Sequence, residues 1–373
     1  MISDRIGLID TSEIRRVFDL AAAIKNPVNL SIGQPDFPVP AAVKEAFIKA
    51  IQDDKSGYTP TAGLLSLREA IAEKLQTRNQ IQVSPDNILV STGVASILFL
   101  LFQASVNPGD DILLIDPYFL IYPALVKYHS ARLHTLPENF QQQDVEEFLH
   151  KGIKPKLIVY STPSNPTGRI LEADQLKLLV QIAQKTGALL VSDEIYEAFD
   201  YENKFISTAS LYPEGTLTLN GFSKSHAMTG IRVGYIAAPA GLSKIVQKMA
   251  TLQQYSIVCA PHPAQIAAIT ALKTDLSNEL VLMKERRDML AEKLAKFTEF
   301  ARPDGAFYIF PKIPAHSSEF IERAIKERLL LVPGYIFGKD PNWVRISYAQ
   351  KNEILEEGIQ IFEKIFTDLQ NGN

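Results

Sequence analysis

LIVYSTPSNPTGRILEADQLKLLVQIAQKTGALLVSDEIYEAF, residues 157–199, is the stretch on which the fold turns. It opens with an apolar run, 157–160, of the length and texture of a strand buried on both faces. A proline-rich turn follows. Residues 173–186 then space their apolar side chains as one face of a helix and stop at Gly187, the residue that best takes a left-handed helix cap. A second apolar run, 188–192, ends on a pair of acids. Strand, helix and strand in that order read as a βαβ unit with parallel strands.

The same rhythm extends in both directions. Upstream, a helix-like run at 95–106 closes at NPGDD. Then come a strand at 112–115, a helical stretch near 120–128, a strand at 132–136 and a helix around 144–150. Downstream lie strands at 216–219 and 233–237. Strands separated by helical segments predict an α/β fold with a mostly parallel sheet. Near Pro261 the texture changes to one long, charged helical region reaching about residue 297. Short strand-like pieces, 306–310 and 344–348, follow with helices between and after them. That part reads as a smaller α+β unit. The first forty-odd residues lack the βα rhythm and are expected to pack with it. The expected division is a large domain over 42–275 and a small one made of 1–41 and 276–373.

Bulk properties narrow the function. The chain has 373 residues, 46% hydrophobic and 21% charged, enough apolar mass for a large core. A net charge of −4 gives no basic surface for nucleic acid or an anionic membrane, so neither is an expected partner. The longest greasy stretch, 97–102, is far too short to span a bilayer. The opening MISDRIGLIDTSEIRR carries charges where a signal peptide needs an apolar run. The six histidines form no H-x-x-x-H or Cys/His cluster, so no metal site is expected. The single cysteine, Cys259, rules out a disulfide within the chain and suits a reducing, cytoplasmic setting.

Four short segments carry chemistry. Open α/β sheets bind ligands at the carboxyl ends of their strands, and Asn165, Asp193 and Lys224 all follow predicted strands. In LTLNGFSKSHAMTGIRVGY, residues 217–235, Lys224 follows a strand and Arg232 comes eight residues later. A lysine in a buried crevice loses its proton readily and condenses with an aldehyde, and an arginine grips phosphate bidentately. The small neighbours Gly221, Ser223 and Ser225 suit close approach of a flat ligand. In LLVSDEIYEAF, Asp193 ends a strand, where a carboxylate can hold a proton on a pyridine nitrogen; Tyr196 can bond a phenolic oxygen. Taken alone, such an aspartate is as readily a helix cap. In VYSTPSNPTG, Asn165 precedes Pro166, which favours an extended backbone and aims the amide; N-P is also a plain turn signal. In LVSTGVASILFLLF, Gly93, Val94 and Ala95 offer backbone N–H groups at a helix start, a ready phosphate site or ordinary βα turn chemistry.

Together these segments resemble the class I/II aminotransferases, fold-type I enzymes that use pyridoxal 5'-phosphate (PLP). The resemblance runs over nearly the whole chain. It takes in NLSIGQPDFPVP, GYTPTAGLLSLREAI, NPGDDILLIDPYF, TPSNPTG, SDEIY, FSKSHAMTGIRVGY, RPDGAFY, LVPGYIFG and VRISYA. It implies that Lys224 carries PLP as a Schiff base and later shuttles the proton. Asp193 pairs with the pyridine nitrogen, and Tyr196 and Asn165 contact the ring oxygen. Arg232 binds the phosphate with Ser223 and the backbone at Gly93, Val94 and Ala95. Phe119 stacks on the ring. Arg345 and Gly33 take the substrate carboxylate, with Asn165 beside them. Tyr58 reaches the phosphate of the neighbouring subunit, which implies a homodimer. Three positions depart from many relatives. Gly221 replaces a hydroxyl residue, Val94 and Ala95 lack a polar side chain, and Phe119 or Ile231 stands where tryptophan is common.

The implied reaction moves an amino group between an L-amino acid and a 2-oxo acid. A PLP-dependent β-lyase on the same frame is the alternative, because it needs nearly the same residues. A binding-only regulator would need an added DNA-binding module, and motifs that begin by residue 30 are expected to leave no room for one in front. Phe37, Tyr118, Tyr335 and a helix near 14–18 are expected to make an apolar pocket wall, which hints at aromatic or aliphatic donors.

Overall fold

The computed structural model describes residues 2–9 and 24–372. A short strand, β1 (Val28–Asn29), precedes the main sheet. The strands of that sheet are β2 (Ile88–Ser91), β3 (Asp111–Asp116), β4 (Arg132–Pro137), β5 (Pro155–Ser161), β6 (Leu189–Asp193), β7 (Thr216–Gly221) and β8 (Gly234–Ala237). They lie in the order β2-β8-β7-β6-β5-β3-β4. β3 to β7 pair in parallel, as helix-crossed strands must. β8 runs antiparallel to both β2 and β7. The cause is local: residues 222–233 carry no helix to cross the sheet face, so the chain turns back beside β7.

The helix at Ala173–Thr186 shows why the local reading works. Gln175 Oε1 accepts the backbone N–H of Glu172, and Gly187 closes the other end at φ +78°. Leu176, Leu179, Ile182 and Ala183 face inward at helical spacing. The single long helix expected after Pro261 is instead two, His262–Ala271 and Ser277–Leu294. Between them the carboxylate of Asp275 accepts both the backbone N–H and the hydroxyl of Ser277, and so starts a new helix.

The later strands are β9 (Tyr308–Ile309), β10 (Leu329–Leu330), β11 (Val332–Pro333) and β12 (Val344–Ser347). β11, β12 and β9 form a three-stranded sheet, and β10 pairs in parallel with β1. Val28 and Leu30 thus share one core with Phe307, Ile346 and Phe362. Among the described residues, no helix is long and apolar enough to cross a membrane.

Candidate active site

The carboxyl ends of β3, β5, β6 and β7 open on one cavity of about 320 Å³. Each strand delivers a group to it. Phe119 follows β3, Asn165 follows β5, Asp193 ends β6 with Tyr196 just beyond, and Ser223 and Lys224 follow β7. Val94 and Ala95 come from the start of the helix Val94–Ser105, and Arg232 from the return into β8. Gly33 and Arg345 close the cavity from the side of β1 and β12. A parallel sheet makes this convergence possible, because all its crossovers end at the same edge.

Lys224 Nζ donates to the carbonyl of Gly33 at 2.6 Å. Desolvation, with Arg345 and Arg232 nearby, lowers its pKa from 10.5 to about 8. About a tenth is therefore free amine at pH 7, far more than an ordinary lysine offers. Asp193 is pushed up to about 6 by burial, against a hydrogen bond from Tyr122 and the field of Lys224. It remains mostly ionised at neutral pH. Tyr196 holds its proton firmly, through burial and the nearby Tyr308; the two hydroxyls are 2.8 Å apart.

Arg345 is almost fully buried. Its Nη1 donates to Asn165 Oδ1 at 2.9 Å and its Nη2 to the carbonyl of Ser31 at 2.7 Å. The guanidinium lies 4.3 Å from the Tyr308 ring centroid and 5.2 Å from that of Phe337. Its Nε–H has no partner among the described residues. With Asn165 Oδ1 occupied by the arginine, the Asn165 amide nitrogen is the group left to face a ligand.

An anion cup lies beside Lys224. Arg232 donates to the carbonyls of Thr229 and Thr92 at 2.7 and 3.0 Å, which fixes its guanidinium against the helix start. Glycines make that approach possible. A Cβ on Gly93 would come 2.7 Å from Arg232 Nη2, and one on Gly234 would come 2.9 Å from the Val94 nitrogen. First-turn N–H groups have no intrahelical acceptor, so the cup combines backbone donors with a guanidinium. A phosphate suits it, an aldehyde suits the amine of Lys224, and a pyridine nitrogen suits the buried carboxylate of Asp193. These residues fit PLP.

Gly93 stands behind Arg232 rather than on the cavity wall. Tyr58 is 86% exposed and lies outside the cavity. The expected apolar wall is differently made. Phe37 packs on the core shared by β1 and β12. Tyr118 lines a separate small cavity together with Phe119, its backbone N–H bonded to the carbonyl of Phe337. Tyr335 stacks on His316. Residues 14–18 lie outside the described residues. Leu98, Phe119, Ile121 and Ile195 supply the apolar wall instead. Sequence reading also passed over Tyr122, Thr229 and Tyr308, all on the cavity. Tyr122 had a weak signal: it is an aromatic hydroxyl just inside the helix Ile121–Tyr128, three residues after Phe119.

Comparison with known proteins agrees with this chemistry. The family model for aminotransferase class I and II matches residues 25–362. A probable aspartate aminotransferase of Methanocaldococcus jannaschii is 36% identical, over 98% of this chain and 100% of that one. Aromatic-amino-acid aminotransferase 2 of Thermococcus litoralis is also 36% identical, over 98% of each. Among solved structures, an aspartate aminotransferase of Thermotoga maritima superposes with a TM-score of 0.91 at 31% identity, over 98% of this chain and 100% of that one.

Proposed function

The chain belongs to the class I and II aminotransferase family and is a PLP-dependent aminotransferase, and from that premise we propose which of its residues carry the reaction and which donors it takes. Relatives at this identity are named aminotransferases, which favours transamination over the β-lyase alternative. The observation that carries the residue assignment is Lys224: a buried amine with its pKa lowered to about 8, in one cavity with Asp193, Arg232 and Arg345.

When bound, PLP supplies an aldehyde that condenses with amines and a ring that draws off electron density. Lys224 Nζ takes the proton from the donor's α-carbon and passes it on, acting as base and then as acid. Its lowered pKa suits both roles near neutral pH. Asp193 keeps a proton on the ring nitrogen. Tyr196 and the Asn165 amide hold the ring oxygen. Arg232, Ser223 and the N–H groups at Val94 and Ala95 hold the phosphate, with Gly93 giving Arg232 room behind the cup, and Phe119 covers the ring. Arg345 takes the α-carboxylate of the amino acid or the 2-oxo acid, with Gly33 beside it. Its Nε–H, which has no partner among the described residues, supports that role.

The donors we propose carry uncharged, bulky side chains. Among the described residues, the cations on the cavity are Lys224, Arg232 and Arg345, each already assigned. Leu98, Ile121 and Ile195 leave an apolar wall. The domain division at 42–275 is part of the same reading, supported by the pairing of β1 with β10. So is a homodimer in which the exposed Tyr58 serves the neighbouring subunit's phosphate. A cytoplasmic setting completes it, supported by the single thiol, Cys259.

Two measurements test the reading. Purified protein should absorb in the visible with PLP, and Lys224→Ala should abolish that absorbance; an unchanged spectrum removes Lys224 from the role. A donor panel, scored by conversion of the bound cofactor to its amino form, should rank phenylalanine and leucine above aspartate. Aspartate in first place would refute the donor class.

A further inference from the structure

Asp193 lies at the buried end of β6 and is bonded from two sides. The backbone N–H of Ile195 donates to Oδ1 at 3.2 Å. The hydroxyl of Tyr122, on the helix Ile121–Tyr128, donates to Oδ2 at 2.8 Å. Among the described residues this is the side-chain hydrogen bond that Asp193 receives. Lys224, from the loop after β7, acts on Asp193 through its charge, while its Nζ donates to Gly33. Tyr196 faces it from the turn beyond its own strand. Ser161, at the end of β5, lies by the Tyr122 hydroxyl. Tyr122 is 1% exposed, and its ring meets that of Phe119 edge-on, with centroids 6.0 Å apart at 84°. The tyrosine is therefore held in place by packing, independently of its bond to Asp193.

We propose that Tyr122 is a positioning residue for transamination: its hydroxyl fixes the plane of the Asp193 carboxylate and keeps it ionised in a desolvated site, so that Asp193 can hold a proton on the cofactor's ring nitrogen. The inference rests on the reading of the cavity as a PLP site. Burial raises the pKa of Asp193, and the Tyr122 bond opposes that rise. Hydrogen bonds to ionised acceptors are about twice as strong as neutral ones. Without the hydroxyl, the proton that belongs on the ring nitrogen is drawn toward the carboxylate. Tyr122 also completes a division of labour on the carboxylate. Ile195 and Tyr122 hold one oxygen each, so the carboxylate cannot turn to meet Lys224.

The test uses holoenzyme. Wild-type protein must first show the visible absorbance of bound PLP; failure there refutes the cofactor reading itself. Tyr122→Phe keeps the ring and removes the hydroxyl. The variant is expected to bind PLP about tenfold more weakly, and the rate constant for the first half-reaction at saturating donor should fall about tenfold. The half-saturating donor concentration should move less than about twofold. The acid limb of the rate–pH profile should shift to higher pH, because Asp193 protonates sooner. In an Asp193→Asn background, the same Phe substitution should change PLP affinity and rate less than about twofold, since the ionised acceptor is gone. A Tyr122→Phe enzyme that matches wild type in affinity, rate and pH profile overturns the proposal. So does a tenfold loss that persists on top of Asp193→Asn. If the phenylalanine variant folds poorly, 3-fluorotyrosine at position 122 keeps the shape and donates more strongly. The acid limb should then move to lower pH, and an unmoved limb overturns the proposal.

Discussion

Gly93→Ala separates the two physical demands of the anion cup. Gly93 sits at φ +90° and ψ 167°, a region that is nearly glycine's alone. Forcing alanine into it should cost about 1–3 kcal/mol, with or without cofactor. The second demand is steric. The new Cβ would lie 2.7 Å from Arg232 Nη2 and 3.1 Å from its Cζ. An unrestrained arginine tip would swing away. This one is bonded to the carbonyls of Thr92 and Thr229, so moving it breaks charged hydrogen bonds. Losing one such bond adds about 1.5–3 kcal/mol to the cost in the cofactor-free protein, and a displaced guanidinium forfeits a charged bond to the phosphate of similar size, roughly 10- to 150-fold in the PLP binding constant. Denaturant titration of the cofactor-free variant should therefore show at least the backbone loss. PLP titration should show a dissociation constant raised by at least about tenfold. The two assays fail in different ways. Unchanged stability without cofactor would mean that the backbone at 93 is not held in the glycine region. Lowered stability with wild-type PLP affinity would mean that Arg232 yields freely and does not hold the phosphate.

Three further outcomes follow from the same geometry. In the cofactor-free protein the pKa of Lys224 is about 8, below its ordinary 10.5, so between those pH values the unfolded chain binds more protons than the folded one. Stability should rise with pH across that window, by up to roughly 3 kcal/mol, and Lys224→Met should flatten the rise in denaturant titrations; equal slopes would contradict a buried amine. Arg345→Ala should raise the half-saturating concentration of both amino acids and 2-oxo acids by about 100-fold through loss of a charged pair, while PLP affinity stays within about twofold; the reverse pattern, measured by steady-state kinetics and PLP titration, would place Arg345 in the cofactor cup. Tyr58→Asp and Lys224→Ala should each be inactive, yet mixed dimers should regain up to about half of wild-type activity, because one site collects both lesions and the other neither; verified mixed dimers that stay inactive would assign Tyr58 to its own subunit.

The sequence by itself determined much that depends on neighbours along the chain, although the Asp275–Ser277 break that splits the helix after Pro261 was not read from it. Apolar runs bounded by Gly, Pro and Asp located β3 to β7 within a residue or two, and helical spacing bounded the helix at Ala173–Thr186. Because parallel strands all end at one edge, that local pattern also sent Asn165, Asp193 and Lys224 to one cavity. The tertiary structure decided what depends on groups distant in sequence. β8 pairs antiparallel with β2, some 146 residues away as counted from Ile88 to Gly234. β1 finds β10 near the other end of the chain. Tyr122 meets Asp193 across 71 residues, and Arg345 lies over the rings of Tyr308 and Phe337 while bonded to Asn165. The apolar wall of Leu98, Ile121 and Ile195 comes from three separate elements. Periodicity tells a residue which way to face, but it carries no record of what stands opposite. Hydrogen bonds, pKa values and pocket shape are set by that opposite partner, which only the packing of the whole chain supplies.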